Sequence, residues 1–226
     1  MYEKDYLKRI IQQAAHLAGT KIAQILGLIE EKEYLNAIEQ LDGAFMSFYG
    51  MDSSMLKILS ADTVIDTLTS ENEEPDPARL LVLAELLKLE GDAYLGEDNQ
   101  AEASRSFHAS LDLYLSVAER TGITENRLEN SHVAELATFL KKSSFPNALQ
   151  LRLMKYYQSD LQYGKAEDEL HEMLDQDDVS EEVIREGKSF YEDLLKLGDE
   201  ELEKGEIYRA ELLEGLEEIR GIELGE

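Results

Sequence analysis

AELLKLEGDAYLGEDNQAEASRSFHASLDLYLSV, residues 84–117, has small and aromatic residues at the spacing of one antiparallel helix pair. Gly91, Ala103 and Ser110 remove side-chain bulk where two helices would approach, and Tyr94 and Phe107 supply rings to fill the space beside them. The same frame recurs outward along the chain. In EKEYLNAIEQLDGAF, residues 31–45, Tyr34, Ala37, Leu41 and Ala44 stand where Gln100, Ala103, Phe107 and Ser110 stand in the first stretch. Tyr163, Ala166 and Leu170 repeat it after a helix containing Met154 and Tyr157. Leu194, Leu197, Gly198, Gly205, Ile207 and Ala210 suggest a fourth pair. The marker alanines 37, 103, 166 and 210 are unevenly spaced, so further helices must lie between the pairs.

Apolar residues from Tyr6 to Ile29 recur at three- and four-residue steps and predict one long amphipathic helix over residues 5–31. Residues 53–70 read as one or two short helices with Ser60 as a cap, and Asp76-Pro77 reads as a cap followed by proline at the first helical position. Thr124 is expected to cap a helix running to about Lys142, with Ile123 and Leu128 as its staple; Pro146 opens the next. Asp178 with Glu181 resembles a capping box. No segment alternates as a strand does, so the expected fold is all-α, with about ten to twelve helices. A single domain over 1–226 is expected, with ENEEPDP near 71–77 as the one exposed connection that would divide 1–70 from 78–226.

Charge narrows the function classes. The chain has 226 residues, with 22 Lys and Arg against 49 Asp and Glu and a net charge of −27, which opposes nucleic acid and anionic membrane as partners. The acids are uneven: residues 1–32 carry five bases and four acids, residues 165–226 seven bases and 23 acids. Cysteine is absent, which removes disulfides, thiolate chemistry and Cys-ligated metals. No apolar run approaches the roughly 20 residues of a membrane span. MYEKDYLKRI lacks the apolar core of a signal peptide, so a soluble cytoplasmic protein is expected.

Motifs for chemistry are weak. His132 between Glu129 and Glu135 offers metal-ligating groups on neighbouring helical turns, yet carboxylates beside a histidine are common on exposed faces. His171 begins HEMLD, which lacks the second histidine of a zinc motif. DQDDVSEE, residues 175–182, has Val179 at a calcium-ligand position and lacks the central glycine. No nucleophile elbow or phosphate-binding glycine loop occurs. No catalytic, cofactor or metal residue is assigned, and the chain is expected not to be an enzyme.

Gly91, Tyr94, Ala103, Phe107 and Ser110, with Leu87 in the place of the usual tryptophan, resemble the tetratricopeptide repeat pattern. More loosely, the MYEKDYLKRIIQQ opening and the EKEYLNAIEQLDGAF segment look like an uncharacterised family of acidic tetratricopeptide-like proteins from Gram-positive bacteria. The resemblance implies an irregular tetratricopeptide-like superhelix of antiparallel helix pairs, with a concave groove lined by the first helix of each pair. Lys88, Tyr94, Arg152 and Tyr156 lie on such first helices and are the expected groove residues. A protein or peptide partner with basic segments is the leading expectation, since acids dominate the chain. The alternatives are a self-assembling structural protein, dimerising through the N-terminal helix, and a sensor of a peptide or small ligand.

Overall fold

The computed structural model describes residues 19–69, 75–121, 127–142, 145–176 and 178–222, and the side chains of all of these except 127–131. All regular structure among them is helical: α1 (19–30), α2 (Tyr34–Tyr49), α3 (Ser53–Leu56), α4 (Ala61–Leu68), α5 (Pro77–Gly96), α6 (Gln100–Thr121), α7 (Arg127–Leu140), α8 (Asn147–Ser159), α9 (Tyr163–Leu174), α10 (Glu181–Leu194), α11 (Asp199–Lys204) and α12 (Arg209–Gly221). The chain forms two compact units, Met1–Ser144 and Phe145–Glu226, so helices on both sides of residues 71–77 belong to the first. Of the helix expected over 5–31, residues 1–18 lie outside the described residues, as do Ile123 and Thr124.

Four turns share one backbone solution. Lys32, Asp98, Leu161 and Glu206 all adopt left-handed φ values of 58–62°. In each, the amide of that residue bonds the carbonyl three residues back, and the next amide bonds the carbonyl five back, as in Asp98 N to Leu95 O (3.1 Å) and Asn99 N to Tyr94 O (2.9 Å). This double bond closes the preceding helix by a Schellman turn and aims the chain back along it. The turns follow α1, α5, α8 and α11, so each joins the two helices of a pair.

The second helices α2, α6 and α9 then begin in the same register. Ala37, Ala103 and Ala166 have no exposed surface, and Leu41, Phe107 and Leu170 follow one turn later, also buried. The fourth pair departs from the expected frame: Ala210 is exposed. Helix α12 starts one residue later after its turn, with Tyr208 as cap, and the shift brings Leu212, Leu216 and Ile219 to the inner face.

In the first unit α5 is the axial helix. It is apolar around most of its circumference, with Leu80, Leu83, Leu86, Leu87 and Leu89 buried, because α2 packs on one side and α6 on another. Asp76 Oδ1 accepts from the Ala78 and Arg79 amides, with Pro77 following as expected. Along α6, Ser106 reaches Glu90 and Ser110 reaches the Ala84 carbonyl, so the two helices run antiparallel. A Cβ on Gly91 would overlap the Phe107 ring, which is why the backbones pass so closely there. A further contact occurs once in each unit: the ring of Tyr34, first residue of α2, lies on Gly96, and the ring of Tyr163, first residue of α9, lies on Gly205.

In the second unit α8 packs on α9, α9 on α10 and α10 on α12. Ser180, in extended conformation, caps α10 by accepting from the Val183 amide at 3.3 Å. Asp178, the expected cap, lies two residues before it.

Candidate functional site

A groove of about 420 Å³ runs between α5 and α7 in the first unit, with α6 beneath it. Its apolar lining is Leu95, Phe107, Leu136 and Phe139, with the two phenylalanine rings edge-on at 4.7 Å between centroids. Lys88 and Asp92 on α5 face Glu135, Thr138 and Lys142 across it. The facing pairs Glu85–His132 and Lys88–Glu135 advance together, so α5 and α7 run parallel and present repeating positions to the same space. Spacings of three and four residues put Lys88, Asp92 and Leu95 on one stripe of α5, and His132, Glu135 and Phe139 on one stripe of α7.

The closed end of the groove is clamped by charge. Lys88 Nζ lies 3.0 Å from Asp92 and 3.4 Å from Glu135, and the residue is 8% exposed. Burial opposes its charge, but attraction to Asp92, Glu135 and Glu85 outweighs burial and holds the ammonium above the usual lysine range. Burial raises the Asp92 carboxyl despite Lys88, since Glu135 and Glu85 add repulsion.

One turn further, Glu85, Tyr114 and His132 from α5, α6 and α7 meet at one oxygen. Glu85 Oε2 accepts from the Tyr114 hydroxyl at 2.8 Å and lies 2.9 Å from His132 Nδ1. The hydrogen bond from His132 to Glu85 raises the imidazole above its ordinary range. Burial pushes Glu85 up, but the bond to His132 and that from Tyr114 bring it below the ordinary carboxylate range. His132 is thus engaged by a carboxylate and a phenol. Among the described residues no group of three or more metal-ligating side chains converges.

Of the expected groove residues, Lys88 and Tyr94 in the first unit lie on different flanks of α5. Lys88 lines the groove. Tyr94 stands six residues on, about 240° around the helix, on the opposite flank of α5. There Lys57 Nζ lies 5.1 Å from its ring centroid and forms ion pairs with Glu90 at 3.1 Å and Glu102 at 3.2 Å. Glu90 is completely buried and takes a 2.6 Å bond from the Ser106 hydroxyl. Arg152 and Tyr156 lie on α8 in the second unit; Arg152 is half-buried, and Tyr156 is 5% exposed with its ring packed edge-on against Tyr157. Sequence reasoning missed Glu85, Phe139 and Lys142, although the stripe of Lys88, Asp92 and Leu95 was available as a signal.

Throughout its described residues this is an all-helical protein, with a half-apolar, half-charged groove in its first unit. The sequence pattern of the family of unknown function DUF6483 matches residues 1–223, and the chain belongs to that family. Comparisons with curated proteins and with solved structures return no match. Among the described residues no helix is long and apolar enough to cross a membrane.

Proposed function

We propose that this protein is a non-enzymatic, tetratricopeptide-like scaffold whose groove between α5 and α7 holds a short segment of a partner protein. The observation that carries this reading is the groove itself: an apolar lining of Leu95, Phe107, Leu136 and Phe139 beside charged side chains. Such a surface anchors an apolar side chain and orients its neighbours by charge. The recurrence of one turn and one packing frame in successive helix pairs supports the tetratricopeptide-like arrangement. The net charge of −27 favours a segment with basic residues, despite Lys142 on the rim.

Selection of a random peptide-display library on the purified protein at low salt tests the proposal. The expected ligands pair apolar and basic residues, lose affinity with added salt, and shift the NMR signals of Leu95, Leu136 and Phe139. Thr138→Trp, at an exposed rim position, should abolish binding without unfolding the protein. Ligands that map elsewhere, or no ligands at all, would overturn it.

A second reading, self-assembly through the N-terminal helix, is favoured by Leu26 on α1 and Leu35 on α2, which are 39% and 69% exposed. Light scattering during gel filtration separates the two: a concentration-independent monomer excludes self-assembly.

A further inference from the structure

Resting on that binding reading, we infer that the Glu85–Tyr114–His132 cluster is a proton-controlled latch that fixes α7, the outer wall of the groove, against α5 and α6. The positions of the three groups carry the argument. They come from three helices and share a single oxygen, Glu85 Oε2, one turn beyond the closed end of the groove. Among the described side chains, the rest of the inward stripe of α7, made of Val133, Leu136, Ala137 and Leu140, is buried and apolar and does not titrate. The described polar ties from α7 to α5 are His132–Glu85 and Glu135–Lys88, and the imidazole is the group among them whose charge changes near neutral pH.

The groups facing His132 set the sign. Glu85 on α5 favours the imidazolium, Glu135 on its own helix adds to this, and Lys88 on α5 opposes it while itself paired with Asp92 and Glu135. The Tyr114 hydroxyl on α6 donates to Glu85. A group whose folded pKa is raised contributes stability fully below its unfolded value of about 6.5, and the contribution is lost as pH rises through the folded value. Glu85, held low, contributes above its unfolded value and loses this only in acid. The latch is therefore closed in mildly acidic solution and loosens as pH rises through the raised His132 value. A neutral imidazole keeps at most an ordinary hydrogen bond to Glu85 in place of a charge-assisted one.

The test is made on the full chain without ligand. Histidine NMR should give His132 a titration midpoint above about 6.5, moving down in Glu85→Gln. Across that midpoint, amide protection of Val133–Leu140, corrected for the intrinsic pH dependence of exchange, should fall on the order of tenfold relative to α10, and the step should vanish in His132→Gln. An unperturbed His132 midpoint, or α7 protection that follows α10 at every pH, would overturn the latch even if neither variant folds. Failure to find a peptide ligand would overturn the binding reading alone, because this measurement needs none. A peptide that binds the groove with the same affinity on both sides of the His132 midpoint would overturn the latch as what holds the groove's outer wall.

Discussion

Lys57 and Glu90 show what a buried charge requires. Glu90 lies wholly inside the first unit, with Lys57 and the Ser106 hydroxyl as its described partners. Removing only the ammonium leaves a carboxylate in a low-dielectric interior, which costs more than the pair itself contributes. Lys57→Met is expected to destabilise the protein by about 3–5 kcal/mol in urea denaturation. Replacing both partners, Lys57→Met with Glu90→Met, should recover most of that loss. If the double variant is no more stable than the single one, the pair is not the reason for the loss. Gly91 poses a steric question instead: its missing Cβ is where the Phe107 ring sits, and that ring is itself held against Phe139. Gly91→Ala should therefore cost about 1–3 kcal/mol in the same measurement, although helix propensity alone would favour alanine.

At the scale of elements, the helix pair depends on its turn and on its close contact. All four turns put a non-glycine residue in the left-handed region. Leu161, like Lys32 and Glu206, lacks the short polar side chain that makes this conformation tolerable for Asp98. It is also 62% exposed and so contributes little packing. Leu161→Gly is expected to raise the urea midpoint, with a gain of up to about 1 kcal/mol. A loss of stability would mean that the side chain packs in solution. Ala103 lies at the close contact of α6 and has no exposed surface. Ala103→Trp should cost about 1–3 kcal/mol through overpacking, read from the melting midpoint. An unchanged midpoint would contradict the antiparallel packing of α5 and α6.

For the whole molecule, repulsion among its own carboxylates adds to the chain entropy that opposes the compact state. The unit Phe145–Glu226 carries nine bases against 24 acids. Most of these acids are on solvated faces, where salt screens them over about 10 Å at 0.1 M. The melting temperature is expected to rise between about 20 mM and about 500 mM sodium chloride, because screening relieves more repulsion than it weakens exposed ion pairs such as Lys196–Asp193. A falling melting temperature would show that the surface ion pairs outweigh the repulsion.

The helical character of the chain, the starting points of several helices and the inward-facing alanines were legible from residue order. These are local properties: the 3.6-residue period, a cap such as Ser60 or Asp76, and the side-chain volume tolerated at a close contact act within a few residues. Even there the limit was visible, because Ala210 stands four residues after the left-handed Glu206 where the other three alanines stand five after theirs, and one extra residue before α12 gives the inner place to Leu212. The groove, by contrast, exists only through packing between distant segments. Lys88 and Tyr94 occupy one helix and looked equivalent, but the placement of α7 on one flank and of Lys57 on the other sent them to different surroundings. Likewise, Glu85 and His132 are far apart in sequence and weak as separate signals. They become one cluster because α5 and α7 run parallel on the same side of α6, and a parallel register between distant helices is set by packing, not by any local pattern.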